Sequence, residues 1–224
     1  MHCTGDLDGG LKMTPHGMRR ICMLAALLVL LATACRPDAA RDEGSIAEAH
    51  RPDLVPLVRA MPTSSMDAPL TVEFDVAAPS KNSSPTLMIG IRVDRTDNTA
   101  AFGALADVRA SGFQAKVSMQ RLESSGWKDV PLHRLEWVIG EPARTIPIPA
   151  DGRVTNAWLD DVDVLALQNA GLERPDDNYA QLAFAWARNP SPGRYRVEVQ
   201  LHSPLPQLEP YQPELLVAYL RRPK

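Results

Sequence analysis

The sequence is poor in cysteine, in aromatic residues and in any excess of basic charge. It has three cysteines in 224 residues, 5% aromatic residues and a formal net charge of −3. A disulfide-stapled scaffold needs a denser set of cysteines. A nucleic-acid-binding protein needs a basic patch or stripe, which this mild acidity does not favour. No apolar run reaches the ~20 residues that a membrane-spanning helix requires.

The longest apolar run predicts an export signal instead. Residues 21–34 carry no charge, and Arg19-Arg20 stands directly before them. A basic start, an apolar core of ~7–15 residues and small residues at its end are typical of a secretory signal peptide. A buried core helix is the alternative interpretation of the run. It is disfavoured because Pro37 and a polar stretch follow at once.

The end of the run, Ala32-Thr33-Ala34-Cys35, resembles the lipobox of bacterial lipoproteins. It departs from that pattern only in having Ala32 where the family usually has leucine. The resemblance implies that the peptide is cut before Cys35 and that Cys35 is acylated. Two or three acyl chains anchor a protein stably, because each buried methylene contributes roughly 0.8 kcal/mol. We expect this covalent lipid and no other cofactor. Arg36 follows the cysteine where some lipoproteins of Gram-negative bacteria have a sorting aspartate. The resemblance to those lipoproteins therefore implies an outer-membrane location with the domain facing the periplasm.

These features divide the chain into three parts. Residues 1–34 are the predicted signal peptide, in which Met18 is the preferred start and Met13 a second candidate. Residues 35–67 are the predicted lipidated cysteine and flexible tether, with an ordered arm packed on the domain as the alternative. Residues 68–224 are the predicted domain. Cleavage would remove 34 residues, with three basic and two acidic side chains among them, so 190 residues with a formal charge of −4 would remain. That length suits one domain with its own core.

Alternating apolar residues predict a mainly all-β domain, an antiparallel β-sandwich with one or two short helices. Turn residues separate the strands that we expect at 70–76, 87–93, 115–122, 127–132, 135–139, 145–148, 182–186, 195–201 and 215–220. Residues 99–109 have helical spacing and predict a short helix. Residues 158–167 fit either a helix or a strand. Gly90, inside a strand, indicates a bulge or a close backbone approach.

Three further segments carry a second resemblance. They are residues 69–76, 191–199 and 213–222, and they follow the lipobox in that order. They resemble a family of proteobacterial lipoproteins with a small β-sandwich domain. The similarity covers roughly residues 69–222, with 140–178 poorly matched. It implies the sandwich fold, and it brings no activity or catalytic residues with it.

The sequence does not predict a metal site. The histidines that follow the signal peptide, His50, His133 and His202, are spread along the chain without the spacing of zinc ligands. Asp160, Asp161 and Asp163 could converge with the aspartates at 176 and 177 on a calcium ion. They lack the alternating ligands and the glycine of an EF-hand loop. A solvated acidic face is therefore the preferred interpretation of these carboxylates.

The sequence also lacks the motifs of nucleophilic and metal-dependent hydrolases. Paired carboxylates for glycoside hydrolysis depend on a spatial separation that a sequence does not reveal, and nothing singles out such a pair here. We therefore expect a protein that binds and does not catalyse.

The four tryptophans suggest where a partner would bind. Trp137 and Trp186 alternate with polar or small residues within strands, which predicts that both lie in the core. Trp127 follows a hairpin turn and Trp158 precedes the acidic run, so we expect both to be exposed. Because aromatic residues are enriched at interfaces, Trp127 and Trp158, together with Asp160, Asp161 and Asp163, are the predicted contacts for a basic protein partner.

The sequence thus predicts a protein-binding module anchored in the cell envelope through its lipid. The most concrete hypothesis is an immunity protein that neutralises a secreted antibacterial toxin. The alternative is a structural or accessory envelope lipoprotein that binds glycan or an assembly partner. We do not expect nucleic acid as a partner.

Overall fold

The structure is a computed structural model that describes residues 52–64, 67–95, 100–137 and 140–223. All of these residues belong to one structural unit, His50–Lys224. The predicted signal peptide, Met13, Met18 and the predicted lipidation site Cys35 lie outside the described residues. They therefore stay predictions.

Twelve strands, two helices and a 3₁₀ helix form the described part of the chain. In chain order they are β1 (Leu57–Ala60), β2 (Leu70–Val76), β3 (Ser83–Asp94), α1 (Ala100–Ser111), β4 (Ala115–Glu123), β5 (Gly126–Asp129), β6 (Leu132–Glu136), β7 (Arg144–Pro147), β8 (Arg153–Val154), β9 (Trp158–Leu159), α2 (Val164–Asn169), β10 (Tyr179–Arg188), β11 (Gly193–Leu201), the 3₁₀ helix (Pro206–Tyr211) and β12 (Glu214–Arg221). The predicted helix at 99–109 and the predicted edge strand at 145–148 are confirmed as α1 and β7.

The strands form two antiparallel sheets. The large sheet has the order β1-β12-β3-β10-β6-β7, and β9 also pairs with β10. The small sheet has the order β2-β11-β4-β5, and β8 also pairs with β4. The predicted fold class, a mainly all-β antiparallel sandwich with short helices, is confirmed.

The core lies between the two sheets, where the alternating apolar residues meet. In β2 the buried positions include Val72 and Phe74, and in β11 they include Tyr195 and Val197. The rings of Phe74 and Tyr195 stack with centroids 6.3 Å apart. The Tyr195 hydroxyl donates to the Ser191 carbonyl oxygen at 2.6 Å, an arrangement that fixes strand corners in antiparallel sandwiches. A period of two in the sequence therefore places these side chains in one core.

Gly90 is a point of close backbone approach, as the sequence predicts. A β-carbon at this position would lie 2.6 Å from the carbonyl oxygen of Leu182 on the neighbouring strand β10. The pairing of β10 with β3 shifts register between Ala183 and Ala185, opposite Gly90. Any larger side chain at position 90 would push the two central strands of the large sheet apart.

The predicted flexible tether at 35–67 is wrong in its second half. Leu57–Ala60 forms β1 and pairs with β12. Val55, Leu57 and Met61 are buried in the core between the sheets. The domain is therefore already folded at residues 52–64, and its predicted start at residue 68 is too late. The alternative prediction, an ordered arm packed on the domain, is confirmed for residues 52–64. A four-residue strand is too short to produce a recognisable hydrophobic period, which is why a flexible tether was the preferred prediction.

The outer face of the large sheet is also covered. Residues 158–173, which we name the covering segment, contain β9, α2 and the turns around them. Val162 and Leu167 of this segment form a second apolar cluster with Met88, Trp186 and Leu216 of the large sheet. The stretch at 158–167, which fitted either a helix or a strand, is thus a two-residue strand followed by a short helix.

Candidate functional site: the covering segment

Hydrogen bonds attach the first half of the covering segment to the large sheet. The indole nitrogen of Trp158 donates to the carbonyl oxygen of Leu135 at 3.1 Å. The backbone nitrogen of Val162 donates to the side-chain oxygen of Gln181 at 3.0 Å, and this contact is buried. Both bonds use polar groups that would otherwise lie unpaired against an apolar face. The segment therefore has a defined position on the sheet.

Asp160 contributes a further attachment point. One of its carboxylate oxygens accepts a hydrogen bond from the indole nitrogen of buried Trp186 at 3.0 Å. Burial raises the pKa of Asp160, and the hydrogen bonds from the Asp161 amide and from Trp186 partly oppose this effect. The Asp160 carboxylate thus fixes the covering segment to β10, and only part of it faces solvent.

Asp163 is a buried structural carboxylate. Its Oδ2 accepts hydrogen bonds from the hydroxyls of Ser83 at 2.6 Å and Ser80 at 2.9 Å. Its side chain also accepts from the Ala166 amide and caps the first turn of α2. Burial raises the pKa of Asp163, but the hydrogen bonds from Ser83, Ser80 and the helix amides outweigh it, so the net shift is downward.

Three apolar side chains of the covering segment are exposed: Leu159 by 38%, Val164 by 37% and Leu165 by 53%. Val164 and Leu165 lie on α2, which packs on the outer face of the large sheet through Leu167. Leu159 pairs with Leu182, a residue of the core between the sheets, so its side chain points to the other face of that sheet. Val164 and Leu165 are therefore the exposed apolar residues of the outward side, and exposed apolar surface is a feature of protein-interaction sites.

Two grooves border the covering segment. One groove, of about 590 Å³, is lined by Lys81, Val164, Leu165, Gln168, Arg221 and Arg222. The other, of about 290 Å³, is lined by Arg95, Phe102, Leu159, Asp161 and Tyr179. The first groove is bordered by three basic residues and the second contains an exposed carboxylate. The covering segment therefore presents different charge on its two sides.

A buried charged cluster supports the far end of the covering segment. Arg92 of β3 is 3% exposed and donates to a Glu214 carboxylate oxygen at 2.8 Å and to the Leu172 carbonyl oxygen at 3.1 Å. Its guanidinium also lies 4.1 Å from the centroid of the Tyr179 ring. Glu173 is buried nearby, and burial raises its pKa while the charge of Arg92 partly lowers it. This cluster holds the segment where it leaves the sheet.

The structure separates the predicted partner-binding residues. Trp127 lies on the outer face of the small sheet, with the Arg196 guanidinium 4.7 Å from its ring centroid. Trp158, Asp160, Asp161 and Asp163 lie on the covering segment, on the opposite side of the sandwich. Trp127 and Trp158 are half-buried, and Asp161 is exposed.

The prediction of a solvated acidic face is wrong for Asp163, because that carboxylate is buried against two serine hydroxyls. The core prediction is correct for Trp186, which is buried, and wrong for Trp137, which is 57% exposed. Strand β6 ends at Glu136, and Trp137 follows it outside the strand. Residues 138 and 139, where the predicted strand would continue, lie outside the described residues.

The apolar residues of the outward surface were missed in the sequence. Val164 and Leu165 belong to a run that also contains Leu167, and such a run in an ambiguous segment usually indicates core. Only Leu167 faces the sheet. The exposure of the other two follows from the orientation of α2, which the buried cap at Asp163 sets.

In the part of the chain that the structure describes, no helix has the length and apolarity needed to cross a membrane. The same residues contain no group of three or more histidine, cysteine or acidic side chains placed to hold a metal ion. Comparison of the chain with models of known protein families, with curated proteins and with solved structures found no match. The candidate site therefore rests on its own geometry.

Proposed function

We propose that this protein is a lipid-anchored, non-catalytic module of the cell envelope that binds another protein through the covering segment. The observation that carries the proposal is the exposed apolar pair Val164 and Leu165 on a segment attached by buried and partly buried hydrogen bonds. An attached surface loses little conformational freedom on binding, so more of its contact energy appears as affinity.

The anchor is the second part of the proposal, and the sequence supports it. Cys35 ends a lipobox-like stretch, and residues 36–51 separate it from Pro52. A chain of 16 residues can span at most roughly 50–60 Å when fully extended. That reach would let the sandwich meet a partner in the periplasm while its lipid stays in the outer membrane.

An immunity protein against a secreted toxin is the specific form of the proposal that we favour. Such a protein needs an anchored export signal and a binding surface, and it needs no catalytic site. The second candidate is an envelope accessory lipoprotein that binds glycan. One observation favours it: Trp137 is 57% exposed at the end of β6, and exposed aromatic rings can stack on sugars.

Metabolic labelling with an alkyne analogue of palmitate tests the anchor. We expect label on the wild-type chain and none on Cys35→Ser, which should leave the membrane fraction. Label on the Cys35→Ser variant would contradict acylation at this residue.

Affinity capture with matched surface variants tests the binding. The bait is residues 36–224 without the lipid. One variant carries Val164→Ser and Leu165→Ser, and the control carries Leu122→Ser, an exposed apolar residue of the small sheet. We expect the wild type and the control to retain one stoichiometric protein encoded beside this gene, and the double variant to lose it. Retention by all three baits would refute the role of the covering segment.

Co-expression with that neighbouring protein separates the two forms of the proposal. Toxicity that the wild-type chain suppresses would identify an immunity protein. Absence of any protein partner, together with retention on immobilised envelope glycan that Trp137→Ala abolishes, would favour the accessory lipoprotein.

A further inference from the structure

The larger groove beside the covering segment combines positive charge with an apolar wall. It has a volume of about 590 Å³ and lies between the end of β12 and α2. Lys81, Arg221 and Arg222 contribute its charge, and Val164 and Leu165 contribute its apolar wall. Ligand-binding clefts in proteins commonly have volumes of ~300–1,000 Å³.

The three basic side chains of this groove have no ion-pair partner in the described parts of the chain. Some arginines elsewhere, such as Arg92, Arg174 and Arg194, have ion-pair partners. The carboxylate that lines the groove is Asp163, and its oxygens already accept hydrogen bonds from two serine hydroxyls and from α2. The groove is thus a basic site in a chain with a net charge of −3.

We infer that this groove binds an acidic peptide segment of the partner, with an apolar side chain packed on Val164 and Leu165. The inference rests on the proposed protein-binding function and names the chemistry of the partner. Carboxylates of the peptide would pair with Lys81, Arg221 and Arg222, which complement them in charge. This reverses the prediction from sequence, in which acidic residues of the covering segment recruit a basic partner.

An anionic bilayer fits the same surface less well. The basic side chains line a concave groove, and a planar bilayer surface does not enter it. A peptide segment can enter the groove and contact its basic side chains and its apolar wall at the same time.

Fluorescence anisotropy with three labelled hexapeptides tests the inference on the full chain in neutral detergent. The probe is Glu-Asp-Leu-Leu-Asp-Glu, and its controls replace the leucines by serine or the acidic residues by lysine. The groove variant is Arg221→Glu with Arg222→Glu. Its matched control is Arg153→Glu with Arg188→Glu, two exposed arginines outside the groove.

We expect the leucine-containing acidic probe to bind the wild type with a Kd of about 100 µM or tighter. The groove variant should weaken binding at least about tenfold, since it turns attraction into repulsion. The control variant should change it less than about twofold, because exposed charges far apart are screened. The lysine probe should not bind, and the serine probe should bind several-fold more weakly than the leucine probe. If the groove variant does not fold, Lys81→Gln with Arg222→Gln replaces it.

Equal weakening by both double variants would overturn the inference, since it would show a bulk charge effect. Absence of probe binding, or wild-type binding only to vesicles with anionic phospholipid, would also overturn it. The proposed function survives these failures if the neighbouring protein is still captured through Val164 and Leu165. If that capture fails as well, the proposed function fails with it.

Discussion

Removal of the N-terminal arm tests whether this part of the predicted tether belongs to the folded domain. The arm is residues 52–64, and it contributes β1 and the buried side chains Val55, Leu57, Val58 and Met61. We expect a chain that starts at residue 67 to lose its cooperative fold. A chain that starts at residue 52 keeps the arm and should fold normally.

The expected loss follows from the burial of these four side chains. Full burial of such a side chain contributes about 1.5–3 kcal/mol, so together they contribute roughly 6–12 kcal/mol. This is an upper estimate, because an unfolded chain already buries part of its apolar surface. Typical domains are stable by about 5–15 kcal/mol. Removal of the arm therefore takes away most or all of the net stability, and it also leaves β12 as an unpaired edge.

Thermal unfolding followed by circular dichroism measures this effect. A milder change, Leu57→Ala, should cost about 2–5 kcal/mol. At about 2–4 °C per kcal/mol for a chain of this size, Tm should fall by roughly 4–20 °C. Ala60→Ser, at an exposed position of the same strand, serves as the control and should leave Tm nearly unchanged. Equal Tm values for chains starting at residues 52 and 67 would refute the place of β1 in the fold.

Three further substitutions probe the attachments of the covering segment and the core. Asp163→Ala should destabilise the fold by about 1–3 kcal/mol in chemical denaturation, because it removes the acceptor of the Ser83 and Ser80 hydroxyls and the side-chain cap of α2. Asp161→Ala, at the exposed neighbour, should change little, and equal effects of the two substitutions would contradict the buried role of Asp163. Tyr195→Phe should lower the free energy of unfolding by about 0.5–1.5 kcal/mol, because it removes the hydrogen bond to the Ser191 carbonyl oxygen. An unchanged denaturation midpoint would contradict a stabilising role for this bond. Burial raises the pKa of Glu173 in the folded protein above its value in the unfolded chain. The stability of the wild type therefore falls as the pH rises from the unfolded-state pKa through the folded-state pKa. The difference in Tm between Glu173→Gln and the wild type should therefore move in favour of the variant from acidic to neutral pH. A variant that is less stable than the wild type at neutral pH would show that the attraction between Glu173 and Arg92 outweighs the cost of burial.

The strands with a clear period of two could be predicted from the sequence. Strand β2 was predicted within the bounds that it has, Leu70–Val76, and β11 was predicted from Tyr195 to Leu201. Each of these strands has one face toward the core and one toward solvent, which produces the alternation. Strand β10 is buried on both faces over most of its length, and its alternation came only from large and small apolar residues.

The arm and the covering segment could be predicted much less well. Their positions depend on tertiary contacts, such as the pairing of Leu57 with Val217 and the hydrogen bonds of Asp163 to Ser80 and Ser83. The residues joined by these bonds are about 80 or more positions apart in the chain. No local pattern contains that information, and so a buried carboxylate was interpreted as an exposed one.

Photo-crosslinking in the living cell tests the central claim of protein binding most directly. A photoreactive phenylalanine analogue is placed at Leu165 on the covering segment or, in a second strain, at Leu122 on the small sheet. Our account predicts one discrete crosslinked protein from position 165 and none from position 122. No crosslink from position 165, or the same crosslinks from both positions, would contradict it.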